Sequence, residues 1–72
     1  MIQESEVKFK SAWHFSRNGM SVRVDRDTKY HIERITRTRI LKDEQPGKSV
    51  TTYSRIDEKK EYNTLAEVLK LL

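Results

Sequence analysis

Arg37, Arg39, Tyr53 and Arg55 are the side chains whose types and spacing could do chemistry in this sequence. Each of the pairs Arg37/Arg39 and Tyr53/Arg55 is separated by one residue, so in extended chain its members share a face. A register that sets Arg37 opposite Tyr53 places all four on one surface. Guanidinium groups interleaved with an aromatic ring suit a single-stranded nucleic acid: the charges follow the phosphates and the ring stacks on a base. The plainer alternative is a solvated face on which Arg37 lies over Tyr53 as a cross-strand cation–π pair. Arg23, Arg17 and Lys10 extend the basic patch if the strands that carry them belong to the same sheet.

The charge distribution points the same way. The net charge is +4, and the excess lies in residues 17–42. There Arg17, Arg23, Arg26, Lys29, Arg34, Arg37, Arg39 and Lys42 face only Asp25, Asp27 and Glu33. Arginine dominates this stretch, and its planar fork suits phosphate and ring stacking better than an ammonium does. A polyanion or a larger acidic protein is the partner such a surface would meet.

Other chemistry has little support. The chain has no cysteine, which removes thiol catalysis, zinc–thiolate sites and iron–sulfur clusters. His14 and His31 are the only histidines, and no carboxylates stand near them at metal-ligand spacing. His14 reads as a surface residue. No serine or threonine sits in a nucleophile-elbow context. Gly19 and Gly47 fall in two different turns, so no phosphate-cradling glycine loop forms. The expectation is a domain that is not an enzyme, with no cofactor and no metal.

These residues must be positioned by a small scaffold. Apolar residues make up 35% of the chain and charged ones 36%, a balance that would suit disorder were the apolar positions not periodic. Residues 1–72 read as one domain, with residues 1–5 loose. The opening Met1-Ile2-Gln3-Glu4-Ser5-Glu6 is acidic and polar, unlike a signal peptide. No apolar run approaches the roughly 20 residues of a membrane span, and a cysteine-free chain suits the reducing cytoplasm.

Val7, Phe9, Ser11, Trp13 and Phe15 alternate with polar neighbours, as a half-buried strand requires. Asn18-Gly19 follows, a strong two-residue hairpin signal, and Met20, Val22 and Val24 resume the alternation. The loop pairs Phe15 with Val22, Trp13 with Val24 and His14 with Arg23; continuing it sets Ala12 against Asp25 and Lys10 against Asp27. Asp25 to Lys29 is polar and reads as a turn. Tyr30 to Leu41 is rich in residues that favour strands, and a bulge near Arg34 or Ile35 would reconcile its imperfect alternation. Residues 42–48 hold the only proline and form a second turn. Ser49 to Ile56 is the next strand; a symmetric loop pairs Ile40 with Val50 and Arg37 with Tyr53. Asp57 to Lys60 is a charged turn. Thr64-Leu65-Ala66-Glu67 fits a capping box, and Leu65, Val68, Leu69 and Leu72 line one side of a short helix. So short a helix must dock to persist, and the face of Trp13, Phe15, Val22 and Val24 is its natural seat, which makes Trp13 a core residue.

The fold expected is therefore α+β: a small twisted antiparallel β-sheet of about four strands in two hairpins, with one short C-terminal helix packed on one face. Two functions compete. One is nucleic-acid binding through the Arg/Tyr-bearing sheet face. The other is a protein-binding module, a small inhibitor or adaptor, that meets an acidic partner through the basic face or a sheet edge. A homodimer fits as well, because association compensates for a thin core. No membrane partner is expected.

Overall fold

Asn18 and Gly19 take φ values of 51° and 74°, the left-handed geometry that a tight hairpin turn requires. They join β1 (Lys10–Arg17) to β2 (Met20–Asp27). A computed structural model of the chain describes residues 2–72. Beyond the first hairpin it contains β3 (Ile32–Ile40), β4 (Pro46–Arg55) and the helix α1 (Leu65–Leu69). The four strands form one antiparallel sheet in the order β1-β2-β3-β4. The fold class is α+β. Of the opening segment, residue 1 lies outside the described residues. Glu4 enters a 3-10 turn, Glu4–Glu6, that is closed by the Gln3 backbone donating to Glu6 Oε2 at 2.7 Å.

Antiparallel partners share a face and neighbours along a strand alternate, so the registers assign every strand residue to one side. On one side lie Ser11, His14, Arg23, Asp25, Asp27, Ile32, Arg34, Thr36, Thr51, Tyr53 and Arg55. This is the helix face. Val7, Ile32, Leu65 and Val68 form its buried cluster, with Phe9, Tyr30, Tyr53, Tyr62 and Leu69 packed around them. Ile32 and Val68 are fully buried, and each aliphatic side chain of this kind contributes about 1.5–3 kcal/mol. The helix starts where the sequence predicts: Thr64 Oγ1 accepts from the Glu67 backbone N–H at 3.3 Å.

Two buried aspartates stiffen the same face. Asp27 accepts from the backbone N–H of Lys8 at 3.1 Å and of Tyr30 at 2.8 Å. It thereby fixes both the entering segment and the β2–β3 turn. Asp25 accepts from Arg23 and Arg34. Residues 25–27 thus belong to β2 rather than to a turn, and the reversal falls at 28–31, where His31 has φ 58°.

The helix packs on the sheet, but on the side opposite to the expected one. Trp13, Phe15, Val22 and Val24 face away from α1. Its apolar side chains Leu65 and Val68 instead meet Val7 and Ile32, and Ile32 lies on the other face. A helix of five residues is about 7.5 Å long, while an eight-residue strand runs about 27 Å. The helix covers only the end of the sheet around Ile32, where Val7 and Phe9 close over it. Much of the rest is uncovered: every residue of β1 is exposed, although Val24, the partner of Trp13, is buried. The molecule measures 44 × 23 × 19 Å.

The registers also depart from the symmetric reading. Phe15–Val22, Trp13–Val24 and His14–Arg23 pair as expected, but a bulge at Ala12 then sets Ser11 against Asp25 and Lys10 against Arg26. No bulge interrupts β3 near Arg34 or Ile35 in its pairing with β2. It lies instead between Thr38 and Ile40. In the turn that follows, Leu41 and Gln45 are bonded and Glu44 has φ 58°. Ile40 meets Pro46 and Arg37 meets Val50. Ile40–Pro46 is four residues out of the expected register, and past the bulge the pairing is three out; that odd displacement sends the β4 side chains from Ser49 to Arg55 to the other face.

Candidate nucleic-acid interface

That odd displacement divides the constellation read from the sequence. Arg37 and Arg39 lie on the open face, opposite the helix. Tyr53 and Arg55 lie on the helix face. Tyr53 packs in the core, 6.1 Å from the Phe9 ring, and Arg55 pairs with Glu58 at 3.5 Å. Arg23 is also on the helix face, bonded to Asp25 at 3.1 Å. Lys10 comes to the open face through the Ala12 bulge. The structure therefore brings Arg37, Arg39 and Lys10 to one side and does not bring Tyr53, Arg55 or Arg23 there. No pair of Arg37 with Tyr53 forms; Tyr53 faces Arg34.

The open face carries two aromatic rings, and Trp13 is not a core residue. Trp13 and Phe15 are two apart on β1, and their ring centroids lie 5.4 Å apart with planes inclined by 26°. Both are exposed, at 43% and 47%. Crossing the sheet, Phe15 meets Val22, which meets Arg37, which meets Val50. The next row runs from Arg17 through Met20 to Arg39. Lys48 lies beside them, lining one shallow depression with Met20, Arg37, Arg39 and Val50. Met20 and Val50 are exposed as well. The signal for this surface was present in the sequence: the first hairpin carries more apolar side chains than so short a helix can cover.

The carboxylates of the open face are already engaged. Glu33 pairs with Arg26 at 2.9 Å. Glu61 pairs with Arg37 at 2.9 Å and accepts from the Thr52 hydroxyl at 2.7 Å. The Thr52 hydroxyl holds the Glu61 carboxyl below its usual range, and the Arg37 guanidinium adds to this. Among the described residues, Lys10, Arg17, Arg39 and Lys48 form no ion pair. The uncompensated charge on this face is therefore positive, and it borders a stacked aromatic pair.

The histidines stand apart from any such cluster. His14 is exposed and its Nε2 lies 2.6 Å from Ser21 Oγ, while His31 occupies the β2–β3 turn. Among the described residues no group of three metal-ligating side chains comes together. Among the described residues no helix is long and apolar enough to cross a membrane. No protein-family model matches the chain, and no curated protein or solved structure matches it either.

Proposed function

We propose that this chain is a non-catalytic domain that binds single-stranded nucleic acid on its open sheet face. The observation that carries the reading is the exposed Trp13–Phe15 stack on the same face as the unpaired cations Arg17, Arg39 and Lys48. Stacking of a base on an aromatic ring contributes about 1–3 kcal/mol and tolerates any base. The cations supply the salt-dependent attraction for the backbone. Lys10 and Arg37 widen the basic border. Tyr53, Arg55 and Arg23 take no part, because they belong to the other face. The cytoplasm is the compartment that suits a cysteine-free chain of this kind.

The free edge of β1 favours a second reading, a protein-binding module. All eight of its residues are exposed, and an uncovered edge offers unpaired backbone groups to another strand. An acidic protein would then meet the same cations.

Trp13 is the only tryptophan, so its fluorescence reports directly on the platform. Oligo-dT, oligo-U and duplex DNA titrated separately at low and moderate salt separate the two readings. Single-strand binding predicts quenching by the single strands that weakens as salt rises. An unchanged spectrum with every ligand at low salt overturns it and leaves the protein partner.

A further inference from the structure

We infer that Glu61 is a built-in competitor for phosphate at Arg37, so that a single strand gains its full set of contacts only by displacing it. The inference rests on the reading of the open face as a single-strand site, and adds its control.

Arg37 is the central cation of that face. It shares a cross-strand row with Phe15, Val22 and Val50, and two strand spacings, about 10 Å, separate it from Phe15. Its NH1 group forms an ion pair with Glu61 Oε1 at 2.9 Å and donates to Thr52 Oγ1 at 3.3 Å. The Thr52 hydroxyl donates to the same Glu61 oxygen at 2.7 Å. The three groups close a small triangle.

Glu61 is also held from behind. The next residue, Tyr62, pairs with Tyr53 through two backbone bonds of 2.8 and 2.7 Å. Its carboxylate is thus presented to the open face by a segment fastened to β4, unlike a carboxylate on a free surface loop. It remains anionic at neutral pH, because its neighbours favour the charged form. A phosphate oxygen and a carboxylate oxygen make the same charge-assisted bond to a guanidinium, so the two compete for one donor. Arg17, Arg39 and Lys48 have no such internal partner among the described residues and are free to attract the strand first.

Glu61→Gln tests this, because the amide still accepts from Thr52 but carries no charge. Affinity for oligo-dT would be measured against salt for the natural chain, Glu61→Gln, Arg37→Ala and the double variant. Glu58→Gln serves as control: it adds the same charge beside Arg55, on the helix face. The expected result is about fivefold tighter binding by Glu61→Gln at low salt, the fold-change that corresponds to an exposed ion pair. The logarithmic salt slope steepens by about 0.7, one further phosphate contact. Glu58→Gln changes little, and the gain vanishes when Arg37 is alanine. Equal affinity of Glu61→Gln and the natural chain overturns it while the open-face reading stands, as does a gain that survives Arg37→Ala. Absence of binding by either protein overturns both.

Discussion

Arg34 reaches the buried carboxylate of Asp25 with two donors, Nε at 3.2 Å and NH2 at 3.0 Å, while its guanidinium carbon lies 4.5 Å from the centroid of the Phe9 ring. Asp25 is 2% exposed, whereas the side chain of Arg34 is 36% exposed. The two partners therefore differ in what each loses when the other is removed. Arg34→Ala leaves a buried carboxylate with Arg23 alone and should cost about 2–3 kcal/mol. Asp25→Ala leaves arginines that can turn to water and should cost about 1 kcal/mol. Urea midpoints at unchanged m-value measure both. The reverse order would show that Asp25 is not effectively desolvated.

The two glycines answer different demands. Gly19 has φ +74°, and a Cβ there would lie 3.8 Å from the carbonyl oxygen of Ile40, so there is room for a methyl group. Gly19→Ala should lose about 1–2 kcal/mol through backbone strain alone, with amide shifts confined to residues near 18–20. Gly47 faces a steric limit instead: its Cβ would lie 3.0 Å from the backbone oxygen of Arg39. Gly47→Ala should move the amide resonances of Arg39 and Leu41 by widening the β3–β4 bulge. Amide spectra of the two variants distinguish these causes.

Glu61 gives the fold a titration of known sign. Its folded pKa lies below the ordinary value, chiefly through the Thr52 hydroxyl and then through Arg37. A carboxyl with a depressed folded pKa adds stability above its unfolded pKa. It loses that contribution as pH falls through the folded value. The carboxyl carbon shift of Glu61 should therefore titrate below the range of an unperturbed glutamate. Thr52→Val and Arg37→Ala should each move the midpoint upward. A midpoint indifferent to both would remove the triangle from the solution structure.

Local signals were the legible part of this fold. Asn18-Gly19 set the first hairpin and the Phe15–Val22 register, and Thr64 with Glu67 marked the helix start. Both depend on neighbours within a few positions. The second hairpin was not legible, because its register hangs on a bulge at Arg39 and on Glu44 at positive φ. Neither residue type announces such a role. The burial of Asp27 was equally hidden, since one of its donors, Lys8, lies 19 positions away. The odd shift of β4 took Tyr53 away from Arg37 and Arg39, while the β2–β3 register, with Val22 against Arg37, set Phe15 and Trp13 on their face. The candidate site kept its arginines and changed its rings.

That exchange yields the sharpest prediction, because the two aromatic candidates now have opposite roles. Trp13 is half-exposed on the open face, beside its buried partner Val24, and contributes less to stability than a fully packed ring. Trp13→Ala should weaken oligo-dT binding by about 1–3 kcal/mol and cost about 1–2 kcal/mol of stability, less than the loss expected at Tyr53. Tyr53 packs against Phe9 and the helix cluster. Tyr53→Ala should cost about 3–5 kcal/mol of stability, the loss typical of truncating a packed aromatic ring. Where the domain still folds, at low temperature or with osmolyte, binding should be retained. Since Trp13→Ala removes the fluorophore, anisotropy of a labelled oligonucleotide would serve for both variants. Equal binding losses would place the strand on neither face in particular. A loss confined to folded Tyr53→Ala would put it back on the helix face, against the register of β3 and β4.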